Sequence, residues 1–281
     1  MKLNSNNAIV TYVYPSVLKY FQECLLSIKS QNNQDFDLIV FSDGVSLDQV
    51  EDNDLKFQLI SLSGSPFSIR NQSFEILKLL NYDNLIFIDA DDTMTTNRID
   101  VLLHYLKSYA IVCNDINLMD YKGQVYEQSI WGSRLGNEFK FISEFIIDKN
   151  IIGFGNTGIT KKLLSKYVSN TDYSTLAVDW FFFYQLMKKN NETAFFTNEC
   201  KINYRQHKEN TAGIRNISFD SIKKTLQVKR MHYEALINAG FLELKEELEK
   251  LNAIDLSNLN LDKLNKLPNH LFWWEENNFI K

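Results

Sequence analysis

The chain has 281 residues, 44% of them hydrophobic and 23% charged, the balance of a folded globular protein with material for one large domain or two modest ones. Ten glycines and three prolines exclude a chain dominated by linkers. A formal charge of −5 argues against nucleic acid as the main partner, while leaving room for an anionic substrate in a local site.

Residues 8–13 are a β-branched run, and after Pro15 the apolar positions Val17, Phe21, Cys24 and Ile28 recur at helical spacing, so the chain opens as strand, turn, helix. A second apolar run at 38–41 ends in Ser42, Asp43 and Gly44, a weaker third spans 57–60, and a helix over 68–80 leads to a continuously apolar strand at 85–88. Strands alternating with amphipathic helices predict an α/β fold, a Rossmann-like, mostly parallel sheet flanked by helices. Such a sheet binds ligands at the carboxyl ends of its strands. The polar residues expected at that edge are Thr11, Asp43, Asp89, Asp91 and Asp92.

Further on, the pattern predicts a helix over 97–108, a strand at 110–113 and a mixed stretch containing Trp131, Gly132 and the glycine-rich segment 153–158. Helices follow at 160–167 and 177–189, strand-like segments at 193–197 and 201–204, and a long helix at 218–239. The expected organisation is one α/β domain over residues 1–215 and a helical extension over 216–281 that ends in the aromatic cluster 271–274. Cys24, Cys113 and Cys200 match neither a disulfide framework nor a zinc cluster. A cytoplasmic setting is therefore expected, with at most peripheral contact on the inner face of a membrane, since no segment approaches about 18 uninterrupted apolar residues.

The sharpest local signal is Leu85-Ile-Phe-Ile-Asp89-Ala-Asp91-Asp92, an apolar strand that ends in carboxylates. Strand alternation puts Asp89 and Asp91 on one side. Two oxygen ligands so spaced suit a hard cation, Mn²⁺ or Mg²⁺, which can neutralise a diphosphate leaving group; capping the next helix is the alternative use. Asp179 opens the apolar run Trp180-Phe-Phe-Phe-Tyr184, where a helix N-terminus favours the carboxylate and burial opposes it. His207, after a strand, coordinates metal when neutral and donates to phosphate when protonated. Charge is unevenly spread, near −9 over residues 35–100 and near +6 over 201–232, so a basic stretch is available for a diphosphate even though surface solvation suits most of its lysines.

Taken in order over residues 8–215, Ile9-Val-Thr11-Tyr12, Phe41-Ser-Asp43-Gly44, Ser68-Ile-Arg70-Asn71-Gln72, Asp89-Ala-Asp91, Val178-Asp179-Trp180 and Tyr204-Arg-Gln-His207 resemble the motifs of a family 2 glycosyltransferase with the GT-A fold. The resemblance implies inverting transfer of one sugar from a nucleotide-sugar, a UDP-sugar first of all, to a hydroxyl of a glycan or lipid-linked glycan in bacterial-type surface glycan synthesis. It implies that Thr11, Asp43 and Arg70 surround the base and ribose, that Asp89 faces ribose and metal, and that Asp91 ligates the metal. Asp179 would be the general base and His207 would approach the diphosphate or the metal. Two departures stand out. Val178 occupies the place of a second carboxylate before the base, and no Gln-x-x-Arg-Trp segment follows, so single transfer is expected and polymerisation is not. Two other readings stay open: a phosphohydrolase of the haloacid-dehalogenase type, with Asp89 as nucleophile and Asp91 as acid/base, and a catalytically silent nucleotide-sugar-binding scaffold that uses Phe272, Trp273 and Trp274 as a contact surface. Oligomeric state is left open.

Overall fold

A computed structural model describes residues 5–50, 55–169, 175–208, 210, 218–257 and 260–262; the aromatic cluster 271–274 lies outside them. The seven residues of β1 (Asn7–Val13) are all buried, and this strand pairs in parallel with β2 (Asp37–Ser42) on one side and β4 (Asn84–Phe87) on the other. A strand covered on both faces has no solvent side to offer, which is why its sequence shows no apolar/polar alternation and is apolar but for Asn7 and Thr11. Helix α1 (Leu18–Lys29) follows β1 and buries Phe21, Cys24, Leu25 and Ile28. After β3 (Phe57–Ser61), which extends the sheet beyond β2, comes α2 (Pro66–Leu79). Ser65 caps it by accepting the Ser68 N–H at 3.2 Å, and Pro66 sits in the first turn where its missing N–H costs nothing. This start sets the phase that points Arg70 at the sheet edge.

The remaining elements are β5 (Thr93–Met94), α3 (Arg98–Leu106), β6 (Ile111–Met119), β7 (Val125–Glu127), α4 (Ile130–Leu135), β8 (Glu138–Phe141), β9 (Thr157–Thr160), α5 (Lys161–Leu164), α6 (Val178–Asn190), β10 (Ala194–Arg205), α7 (Phe219–Asn238) and α8 (Lys245–Asn252). The sheet runs β3-β2-β1-β4-β9-β6-β10-β5, with β7 and β8 attached to β6 and β10. Its strands are mostly parallel, and β9 is antiparallel to both β4 and β6.

Three details differ from the sequence reading. The helix expected over 160–167 is a single turn, Lys161–Leu164, capped by Thr160, and the residues before it are β9, four residues long and too short to show a period. Gly158 lets β9 lie close to α3, since a Cβ there would stand 3.3 Å from Leu106 Cδ1. The two strand-like segments at 193–197 and 201–204 are one strand, β10, whose register against β6 shifts between Thr197 and Lys201; the irregularity broke the alternation that the sequence pattern relied on.

Helix α6 is buried from Trp180 to Met187, and Phe182 packs on Phe74 and Phe154 at centroid distances of 4.5 and 5.3 Å. Helix α7 packs beside it, with Ile222, Leu226, Tyr233 and Leu236 in the same hydrophobic core. The His232 ring stacks on Trp180 at 3.7 Å and 12°, and Trp180 Nε1 donates to the Ile146 carbonyl at 2.5 Å. Burial, with the Lys229 charge second, holds the His232 pKa well below its ordinary 6.5, so folding favours the neutral ring. Below about pH 6.5 the unfolded chain binds a proton that the folded one refuses, and stability is lost by about 1.4 kcal/mol per pH unit from this residue. His232→Phe is expected to remove that component, seen as a flatter dependence of the urea midpoint between pH 6.5 and 5. Among the described residues no helix is long and apolar enough to cross a membrane.

Candidate active site

Beyond β4 the chain leaves the sheet in a tight turn, with the Asp92 N–H donating to the Asp89 carbonyl at 3.1 Å. This turn spreads three carboxylates in different directions. Asp92 points inward, 1% exposed, and accepts the Arg205 N–H at 2.8 Å. Burial, then the charges of Asp91 and Asp89, raise its pKa well above the carboxylate range. Asp91 meets His207, with Oδ2 2.8 Å from Nε2 and side chains 14% and 7% exposed.

Arg205, the last residue of β10, binds this turn from behind. It is fully buried; its Nε donates to the Asp91 carbonyl at 2.6 Å, and its Nη2 pairs with Glu23 of α1 at 2.7 Å. Its guanidinium lies 4.6 Å from the Tyr20 ring centre, and that ring is 5.2 Å from the ring of His207. By composition Arg205 belonged to a basic surface run; in the fold it is a bolt between β10, α1 and the acidic turn.

Arg70 occupies the centre. Its guanidinium carbon is 3.4 Å from the Tyr12 ring centre and 4.8 Å from that of Phe154, so the plane is clamped between two aromatic faces. Nη2 lies 3.6 Å from Asp89 Oδ1, and the buried Nη1 has no hydrogen-bond partner among the described residues. The Asp89 side chain is 41% exposed on its cleft side. Desolvation on the other sides pushes its pKa up to about 6, with Arg70 pulling down and Asp91 and Asp179 pushing up. Gly155 leaves room for it: a Cβ there would stand 2.6 Å from Asp89 Oδ2 and push that carboxylate aside.

Asp179, in the first turn of α6, faces the same space. Its Oδ1 accepts the Trp180 N–H at 2.7 Å and the Asn150 Nδ2 at 3.2 Å. A Cβ on Gly153 would lie 3.2 Å from its Oδ2. Burial raises the Asp179 pKa, and those two hydrogen bonds, followed by the Arg70 charge, oppose the rise.

The loop 150–156 that runs between Asp89 and Asp179 is held by residues the sequence reading did not select. Asn156 accepts the Gly153 N–H at 2.8 Å and donates to the carbonyls of Asn114 and Ile151. Arg98, fully buried at the start of α3, donates to the carbonyls of Phe87 and Gly155 at 2.9 and 3.2 Å and to Asn114 Oδ1 at 2.8 Å. Burial lowers its pKa only to about 10, so a cation lies beneath the acidic turn. The glycines at 153 and 155 were the one signal of this loop in the sequence.

Of the six candidate binding and catalytic positions beside Asp91, the fold gathers Arg70, Asp89, Asp179 and His207 around the acidic turn. Thr11 and Asp43 stand one and two strands away. Thr11 is fully buried in β1 and its Oγ1 has no hydrogen-bond partner among the described residues; Asp43, half-buried just past β2, is placed by its N–H bond to the Val13 carbonyl at 2.9 Å. Among the described residues no group of three or more histidine, cysteine or acidic side chains is arranged around a single metal position. All three cysteines are buried and free.

No curated protein matches this sequence. The fold is similar to that of S. aureus TarS residues 1–349, with a TM-score of 0.55 and 17% identity over 83% of this chain and 65% of that one. The same protein in complex with UDP-GlcNAc gives a TM-score of 0.57 at 16% identity, over 83% and 66%, and in complex with UDP 0.56 at 16%, over 92% and 76%. The chain thus spans just under two thirds of the first two of these structures, and the likeness identifies a GT-A fold. The family model described as "Glycosyl transferase family 2" matches residues 8–168, a segment that carries Thr11, Asp43, Arg70, Asp89 and Asp91 and stops before Asp179 and His207. That match covers more than half of the sequence and sets aside the phosphohydrolase alternative: the chain belongs to glycosyl transferase family 2.

Proposed function

We propose that this protein transfers one sugar from a UDP-sugar to a hydroxyl of a glycan or lipid-linked glycan, with inversion. The observation that carries the reading is that Asp89 and Asp179 both abut the 153–155 loop and both feel the charge of Arg70. In this reading Asp89 serves the donor side, together with the metal, and Asp179 removes the acceptor's proton. The TarS complexes with UDP-GlcNAc and UDP support a uridine diphosphate donor.

Arg70 supplies a fixed positive charge toward the diphosphate or sugar. Asp179 takes the proton of the acceptor hydroxyl as that oxygen forms its bond to the anomeric carbon and the bond from that carbon to the diphosphate breaks. A single displacement inverts the centre, and its transition state has oxocarbenium character. Asp91 and His207, 2.8 Å apart, are the oxygen and nitrogen donors that would hold Mn²⁺ or Mg²⁺, a cation that keeps most of its remaining ligands as water or substrate oxygens. When bound there, such a cation would neutralise charge on the departing diphosphate. Arg205 holds the backbone of the turn that carries Asp91, so its role is to fix the direction in which that carboxylate points.

A thermal-shift panel of nucleoside diphosphates and nucleotide-sugars, each with and without Mn²⁺, tests the reading. A ligand at a hundredfold excess over its Kd adds about 2.7 kcal/mol, or roughly 5–10 °C for a chain of this size. The expected result is a metal-enhanced rise with UDP and a UDP-sugar. No response to any nucleotide would sink the proposal.

A further inference from the structure

The two oxygens of Asp179 are not equivalent. Oδ1 receives two N–H donors, Trp180 N at 2.7 Å and Asn150 Nδ2 at 3.2 Å, which uses both of its lone pairs. No hydrogen bond between described residues ends on Oδ2, which faces Gly153, a residue with no side chain to cover it. The two donors reach Oδ1 from independent directions. Trp180 belongs to the same helix as Asp179 and is immobilised by the Ile146 carbonyl and the His232 ring. Asn150 comes from the loop that Asn156 clamps to β6 through the Asn114 carbonyl.

We infer that Asn150 is a positioning residue: it locks the Asp179 carboxylate in the rotation that dedicates Oδ1 to the protein and leaves Oδ2 to accept the proton. This rests on the reading of Asp179 as the base. A single donor from Trp180 would let the carboxylate pivot about that bond; the second, from another segment, removes the pivot. Both donors also stabilise the ionised form, which opposes the effect of burial. The ionised carboxylate only accepts, so it is the Asn150 Nδ2 that faces it.

The test uses the full chain and needs no acceptor. With aspartate labelled at the carboxyl carbon, the Asp179 resonance is the one missing from Asp179→Asn. Asn150→Ala is expected to move that resonance and to raise its titration midpoint by about 1–2 pH units, the range of a hydrogen bond to a charged group. Asn150→Asp, which puts a like charge at the same contact, is expected to raise it further. UDP affinity by calorimetry stays within twofold of the parent in both variants. Turnover, read as UDP released from UDP-GlcNAc, falls about 10–100-fold in Asn150→Ala with an unchanged KM. In an Asp179→Asn background the same change has no further effect.

An unmoved resonance and midpoint overturn the inference, as does a loss of UDP affinity that matches the loss of turnover, which would mark Asn150 as merely structural. If Asp179→Asn itself keeps near-normal turnover, the base assignment fails separately, whatever the resonance does.

Discussion

Asp179→Asn is expected to lower kcat by about 10²–10⁴-fold, the usual worth of general-base help, with the affinity for UDP unchanged. The substitution is close to isosteric. The amide that replaces the carboxylate can still present an oxygen to the Trp180 N–H and the Asn150 side chain, so the helix start and the 150–156 loop keep their geometry. What disappears is an acceptor at the Oδ2 position, now a nitrogen that carries hydrogens. The pH dependence has a definite sign. Burial raises the Asp179 pKa above the ordinary carboxylate value, so transfer by the parent enzyme falls on acidification at a pH higher than a solvated aspartate would give, and Asp179→Asn loses that acid limb. Steady-state kinetics from pH 4.5 to 8, with calorimetric UDP binding as the control, check both parts.

Arg98→Met is expected to destabilise the protein by about 3–5 kcal/mol, the range for removing one member of a buried charged network. The long apolar replacement fills much of the same space, so the loss is electrostatic more than steric. Three acceptors lose their donor at once: the carbonyls of Phe87 and Gly155 and the Asn114 side chain. The acidic turn also loses its underlying cation, although Asp89 and Asp92 already have raised pKa values. Urea unfolding monitored by tryptophan fluorescence measures the cost, and it should be larger at pH 8 than at pH 5, because more of those carboxylates are ionised at the higher pH.

The parts of this architecture legible in the sequence were those with a sustained period or an abrupt change of polarity. Strands β1, β2 and β4 are built on apolar runs, broken only by Thr11 in β1, and the turn after β4 is marked because carboxylates follow such a run directly. Helix α6 was visible from its length. Short and antiparallel pieces were not: β9 has four residues and its pairing is set by the neighbours β4 and β6. The candidate site divides the same way. Asp89, Asp91, Asp179 and His207 have chemistry that declares itself, whereas Arg98, Asn150, Asn156 and Arg205 act through carbonyls and neighbouring carboxylates far away in the chain. The Arg205 to Asp91 contact, for instance, spans 114 residues, and no local pattern encodes it.

The antiparallel placement of β9 has an evolutionary consequence. Because β6 and β9 are hydrogen-bonded neighbours, everything between Met119 and Thr157 is, topologically, an excursion that returns to the strand beside which it started. Lengthening such an excursion is cheap, about 0.6 kcal/mol of closure entropy per doubling, and it disturbs neither β1, β2 nor β4. Under the proposed function, the segment that brings Asn150 and the glycine loop to Asp89 and Asp179 can therefore be rebuilt for new acceptors while the acidic turn is inherited intact, so that one scaffold can diversify in what it modifies without relearning what it activates.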